Sequence, residues 1–185
     1  MTPLIFLGDS LTDFHDWANF GEHHNAGIAG DTADGLLYRL HYTLEKKPET
    51  LVLMIGINDL LQNQDVETMK RNYKKIFDQV EAIDNVLILS LLPVQAMDQT
   101  SQINESVIVL NHFLRSECAV KEFVYIDLYS LMVDKNCGIK EELTSDGVHL
   151  TPKAYRVWEE ALQNHLKNSL QKIRINDNID NSDLH

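Results

Sequence analysis

Leu4-Ile5-Phe6-Leu7-Gly8-Asp9-Ser10-Leu11-Thr12 decides how this chain is read. Four apolar residues run directly into a Gly-Asp-Ser turn. So short a run, closed by turn formers, reads as a buried strand rather than a helix. The pattern returns at Leu51–Ile55, Val86–Leu89 and Phe123–Ile126, with a shorter candidate near His24–Ala26. Amphipathic stretches separate these runs. From about Thr32 to Glu45, residues Ala33, Leu36, Leu37, Leu40 and Leu44 share one helical face. Met69, Tyr73, Ile76, Phe77 and Val80 form a second stripe, and Ile103, Val107, Leu110, Leu114 and Cys118 a third. The last helix starts at Thr151-Pro152, a cap followed by proline at the first helical position, and its stripe is Tyr155, Trp158, Leu162 and Leu166.

Strand and helix in alternation predict crossover units and an α/β fold, a parallel sheet with helices on both faces. In such sheets the binding crevice lies beyond the carboxyl ends of the strands. Ser10 follows the first strand, Gly30 the second and Asn58 the third, while His149 lies beyond the fifth. Residues far apart in sequence are thereby expected at one edge of the sheet.

The chain has 185 residues, 44% of them hydrophobic, which suits one domain with a substantial core. We place that domain at 1–174. Residues 175–185 are rich in Asn and Asp without an apolar period, and a flexible tail is expected there. The net charge of −12 argues against nucleic acid or an anionic membrane as partner, because both demand clustered Lys and Arg. No apolar run approaches the roughly 18 to 20 residues that span a bilayer, and the N-terminus lacks the basic start of a signal peptide. Cys118 and Cys137 show neither metal-type nor C-x-x-C spacing. Two reduced thiols and a cytoplasmic location are expected.

The chemistry concentrates at the two ends. Gly8-Asp9-Ser10-Leu11-Thr12 supplies a serine and Asp146-Gly147-Val148-His149 an aspartate and a histidine. Serine is a weak nucleophile and needs a neighbouring base; imidazole, which ordinarily titrates near neutrality, is suited to the role. The three-residue spacing lets Asp146 reach Nδ1 of His149 across a tight turn, leaving Nε2 for Ser10. D-x-x-H also occurs in metal sites, and Ser10 in this position could simply cap the following helix. The other histidines, His15, His23, His24, His41, His112, His165 and His185, read as surface or packing residues. Asp9 reads as structural, accepting turn amides behind Ser10. Gly30 precedes Asp31, a candidate helix cap, while Asn25 and Gly27 read as turn formers and Asp59 as a loop brace. Phe14, Trp17 and Phe20 either line a pocket or pack.

Four blocks thus occur in order: GDSLT at 8–12, NAGIAGDT at 25–32, GIND at 56–59 and DGVH at 146–149. Over roughly residues 3 to 170 the chain resembles the GDSL or SGNH hydrolases. Its Gly27–Thr32 stretch also resembles catalytic subunits of the platelet-activating-factor acetylhydrolase type. The resemblance implies a three-layer α/β/α sandwich around a five-stranded parallel sheet of flavodoxin-like arrangement. It implies Ser10, His149 and Asp146 as catalytic residues, and an oxyanion hole made by the N–H groups of Ser10 and Gly30 and the Asn58 side chain. No metal or cofactor is implied.

The leading expectation is therefore an esterase acting on a small-molecule ester, with a short acyl group such as acetyl, as a monomer or homodimer without stable membrane association. Two alternatives stand beside it. A metal-dependent phosphoesterase also gathers Asp, Asn and His, but Ser10 occupies the place of the histidine in its D-x-H motif and no G-N-H triplet exists. A non-catalytic binding module could share the fold, since fold alone does not establish activity.

Overall fold

A computed structural model of the chain describes residues 4–180, and the side chains of residues 4–166 other than Asp98. The strands are β1 (Leu4–Gly8), β2 (His24–Gly27), β3 (Thr50–Met54), β4 (Asn85–Leu89) and β5 (Val124–Ile126). The helices are α1 (Ser10–Asp13), α2 (Ala33–Leu44), α3 (Ile57–Leu61), α4 (Val66–Val80), α5 (Ser101–Lys121), α6 (Tyr129–Met132) and α7 (Pro152–Asp180). All five strands pair in parallel in the order β2-β1-β3-β4-β5. The chain begins in the middle of the sheet, goes to one edge, and crosses back over β1. The reversal lies between β1 and β3, where open α/β sheets form their crevice.

The apolar runs fill the centre because a parallel sheet is covered on both faces. Ile5, Phe6 and Leu7 of β1 and Leu51 to Met54 of β3 are all buried. On one face Phe6 stacks on Trp17, ring centroids 4.2 Å apart, and Trp17 meets Trp158 of α7 edge-on at 5.1 Å. Helices α2, α4 and α5 pack side by side as a second layer. In α2 the buried stripe is Ala33, Leu36, Leu40 and Thr43. Each buried leucine there contributes about 1.5–3 kcal/mol of transfer free energy.

Several local expectations change. The cap of α2 is Thr32, whose side chain accepts the Gly35 N–H at 3.2 Å; Asp31 is committed elsewhere. The cap of α1 is Asp9, and Ser10 is its first residue. Asn25 and Gly27 lie inside β2 rather than in a turn. Trp17 is wholly buried and Phe20 packs against Phe6, so of the three aromatics only Phe14 faces outward, 61% exposed. Helix α7 spans Pro152–Asp180, and residues 181–185 of the segment expected as a tail lie outside the described ones. No described helix is long and apolar enough to cross a membrane.

Candidate active site

Parallel register sets the stage. Gly8 is level with Gly27 on one side and with Met54 on the other. The loops leaving β1, β2 and β3 therefore emerge together. Ser10 starts α1 directly after β1 and is buried. As the first helical residue, its N–H has no partner within the helix. Asp9 holds this corner by accepting the Leu11 N–H at 3.0 Å. Burial pushes the Asp9 carboxyl from the usual 3.8 up to about 7, against the lowering effect of the Leu11 bond. Its second oxygen makes no hydrogen bond among the described residues.

The DGVH segment arrives from the far end of the sheet. Oδ1 of Asp146 accepts the N–H groups of Val148 (3.0 Å) and His149 (2.8 Å), closing the turn. Oδ2 of the same carboxylate meets His149 Nδ1 at 2.6 Å. The bond from the imidazole, then those from the two backbone amides, draw the Asp146 carboxyl down to about 2. His149 Nε2 lies 3.1 Å from Ser10 Oγ. The turn is tied to the body by Gln95, whose N–H donates to Gly147 O at 2.8 Å, and by Thr144 Oγ1, which donates to His149 O at 2.9 Å. A hydroxyl in contact with a carboxylate-oriented imidazole can give up its proton as it attacks an electrophilic carbon.

On the other flank lie Gly30 and Asn58. Gly30 has φ +79, a left-handed conformation natural to glycine, and a Cβ there would meet nothing within 4 Å. Its surroundings are thus open to a ligand. Asn58 Nδ2 donates to Asp31 O at 2.9 Å, which fixes the amide plane and leaves its second hydrogen available. Asp59, expected as a brace of its own loop, instead accepts the Ala33 N–H through Oδ2 at 2.9 Å and holds the start of α2. Burial raises the Asp59 carboxyl to about 6.

The sequence model of the GDSL-like Lipase/Acylhydrolase family matches residues 6–157, which include the serine, glycine, asparagine and DGVH blocks. The chain belongs to this family. A lipase/acylhydrolase of Enterococcus faecalis is 25% identical and covers 91% of this chain and 97% of its own, with a TM-score of 0.72. A Streptococcus pneumoniae protein described as a platelet activating factor superposes with a TM-score of 0.80 at 24% identity, over 90% of this chain and 85% of that one. In sequence, N-acylneuraminate cytidylyltransferases of Streptococcus agalactiae are 25% identical over 150 residues, 81% of this chain and 35% of theirs. The chain spans about a third of the length of these curated relatives.

In this member of the GDSL-like family, the structure also reveals residues that the motifs did not single out. Arg39, on α2, donates to Asp31 Oδ2 through Nε at 2.7 Å, to Ala26 O at 2.9 Å and to Gly8 O at 3.0 Å. One guanidinium thereby fastens the ends of β1 and β2 to the loop that carries Gly30. A Cβ at Gly35 would strike the Asp31 carboxylate, so the close approach of that pair requires a glycine. Asn25 ties the segment after Ser10 by donating to Thr12 O, Asp13 O and His15 O at 3.0, 3.3 and 3.2 Å. Among the described residues, no group of three or more His, Cys, Asp or Glu side chains is arranged to hold a metal ion.

Proposed function

We propose that the protein is a serine esterase that hydrolyses short-chain acyl esters, with Ser10, His149 and Asp146 as its catalytic residues. Ser10 Oγ attacks the ester carbonyl and forms a C–O bond while its proton passes to His149 Nε2. The tetrahedral oxyanion is held by the N–H groups of Ser10 and Gly30 and by Asn58 Nδ2. Collapse breaks the bond to the alcohol, whose oxygen takes the proton from His149. Water, deprotonated by the same imidazole, then releases the carboxylic acid and restores Ser10. Asp146 keeps the imidazole in the right tautomer and stabilises its charged form.

The observation that carries this reading is the continuous line from Ser10 Oγ through His149 to Asp146, with links of 3.1 and 2.6 Å. A short acyl group is favoured because the described strands and helices follow one another without a lid-like insertion that would cover a long chain. Acetyl esters of sugars or other small metabolites head the candidates; the Streptococcus agalactiae relatives act, by name, on N-acylneuraminate. Two unpaired cysteines, Cys118 and Cys137, favour a cytoplasmic location. The test is turnover of p-nitrophenyl esters of increasing chain length by wild type and Ser10→Ala. The reading expects decreasing rates beyond the shortest acyl chains and none from the variant; undiminished hydrolysis by Ser10→Ala would sink it.

A further inference from the structure

We propose that Asn104 is a positioning residue for His149, acting through Val94, Gln95 and Gly147, while Asn111, which makes the same pair of bonds at Leu91, serves the fold alone. The proposal rests on the reading of His149 as the base that serves Ser10. Its starting point is a buried stretch of chain that belongs to no strand or helix.

Residues 90–94 follow β4 and are all buried. Buried backbone needs partners for its N–H and C=O groups. The Ser90 N–H donates to Ile126 O of β5 at 2.9 Å, and Pro93 has no N–H to satisfy. Leu91 and Val94 are served by two asparagines of α5. Asn111 Oδ1 accepts the Leu91 N–H at 2.7 Å, and its Nδ2 donates to Leu91 O at 2.9 Å. Asn104 holds Val94 in the same way, at 2.9 and 3.0 Å. Each carboxamide thus takes the place of a peptide unit in a neighbouring strand. The spacings agree: seven helical residues rise about 10.5 Å, and three residues of extended chain span about 10 Å. Both asparagines are buried.

The two clamps differ in what lies beyond them. Val94 is followed by Gln95, whose N–H donates to Gly147 O at 2.8 Å. The Gln95 side chain also packs on Gly147, where an added Cβ would come within 3.1 Å of it. Among the described residues, this hydrogen bond and the Ser10–His149 contact are the two that reach residues 145–149 from outside 141–151. The Asp146 and His149 side chains are 53% and 38% exposed, so burial does little to fix them. The place of His149 Nε2 therefore follows Gln95, and Gln95 follows Val94. Without Asn104 the buried Val94 N–H has no partner, and Val94 O keeps only the Ile139 N–H at 3.2 Å. Relief of that orphaned group moves the chain that carries Gln95. Asn111 acts three residues earlier, close to the end of β4, which pairing with β3 and β5 already fixes.

The test compares Asn104→Ala and Asn111→Ala in the full chain. It measures kcat and KM on p-nitrophenyl acetate, urea denaturation, and the proton NMR resonance of His149 Nδ1–H. In wild type the 2.6 Å bond to Asp146 should carry that resonance far downfield and slow its exchange. Both variants are expected to unfold at lower urea. Asn104→Ala is expected to lose the downfield resonance and to lower kcat by about tenfold to a hundredfold, with KM within about twofold, the cost of a misplaced reacting group. Asn111→Ala is expected to keep both the resonance and kcat near wild type. If Asn104→Ala does not fold, Gln95→Gly decides, because it loosens the same joint at a half-buried loop position; kcat should fall about threefold to tenfold at an unchanged urea midpoint. Equal losses of kcat in the two asparagine variants, or wild-type kcat and resonance in Asn104→Ala or in Gln95→Gly, overturn the proposal and leave the esterase reading standing. A wild type that does not hydrolyse the ester overturns both.

Discussion

The two ends of the Ser10–His149–Asp146 line are built on opposite principles. At the serine end Asp9 and Ser10 are buried and the loops are fastened to the sheet. Asp9 is 1% exposed and caps α1, while Arg39 clamps β1, β2 and the Gly30 loop. At the histidine end the Asp146 side chain is 53% exposed, and the turn is closed by its own amides, with Gln95 and Thr144 tying it to the body. Two aspartates in one site consequently differ by about five pH units in affinity for a proton, near 7 for Asp9 and near 2 for Asp146. Burial without enough donors makes Asp9 keep its proton; three donated hydrogen bonds make Asp146 give it up. The contrast separates a carboxyl that shapes the loop from one that, on the proposed mechanism, supports the charge on His149.

Breaking the exposed end should have the largest effect on turnover. His149→Ala is expected to lower kcat/KM by roughly 10⁴-fold or more, and the double variant with Ser10→Ala little further, because groups acting in one step are not additive. Asp146→Asn should cost less, about 10²- to 10⁴-fold, since the imidazole remains but loses its orienting charge. Steady-state kinetics on one ester decide this. An Asp146→Asn variant as inactive as His149→Ala would assign the carboxylate a further role.

Breaking the buried end should show in stability as well as in rate. Arg39→Ala leaves the half-buried Asp31 without its cation and removes the guanidinium donors from Ala26 O and Gly8 O, of which Gly8 O keeps the Ile28 N–H, and should destabilise by about 1–3 kcal/mol. Arg39→Lys should recover part of that stability, with kcat still low because a single ammonium cannot hold three acceptors in the same geometry. Denaturant titration and kcat together make the check. Equal kcat in Arg39→Lys and wild type would mean that the clamp serves stability alone. Asn58→Ala, on the same flank, should reduce kcat by about 10²–10³ with little change in KM, the cost of one oxyanion donor. A raised KM at constant kcat would instead make Asn58 a ground-state contact.

The smallest effect expected is the pH dependence of stability. Folded Asp9 holds its proton to about pH 7, whereas an unfolded Asp releases it near 3.8. Its favourable contribution is complete below 3.8 and disappears as pH rises through 7; Asp59, raised to about 6, acts in the same direction. Asp146 works oppositely: its contribution is present above 3.8 and lost as pH falls through about 2. Asp9→Asn keeps the cap but cannot ionise. It should flatten the decline in stability between pH 4 and 8, a gain on the order of 2 kcal/mol at the alkaline end. Urea titrations at pH 5 and pH 8 measure it, and parallel curves for variant and wild type would contradict the buried-carboxyl account.

Much of this arrangement was legible in the sequence because its signals are local or periodic. The runs at Leu4–Leu7, Leu51–Ile55, Val86–Leu89 and Phe123–Ile126 each mark a strand, with only Ile55 and Phe123 just outside, and the stripe from Ala33 to Leu40 lies on the buried face of α2. Ser10, Gly30 and Asn58 leave adjacent strands, as alternating strands and helices require. What escaped depends on long-range bonding. Asn25 and Gly27 have the composition of a turn, yet β1 recruits them as an edge strand and the Asn25 side chain is used up by three carbonyls of residues 12–15. Asp31 has the look of a helix cap but is drawn to Arg39, leaving Thr32 to cap α2. Arg39 itself carries no motif signal: its partners Ala26 and Gly8 are 13 and 31 residues away, brought close only by the crossover. Trp17 and Phe20 could equally have lined a pocket; stacking on Phe6 makes Trp17 core, and an edge-on contact with Phe6 packs Phe20 against it.

The most direct test of the central claim is labelling of the folded protein with a fluorophosphonate, followed by peptide mapping. The reagent forms a bond only with a hydroxyl whose proton is being removed, so it reports on the Ser10–His149 contact itself. The account expects one adduct, on Ser10, in wild type, and labelling slowed by at least a hundredfold in His149→Ala. An adduct on another residue, or equal labelling of Ser10 in both proteins, would contradict it.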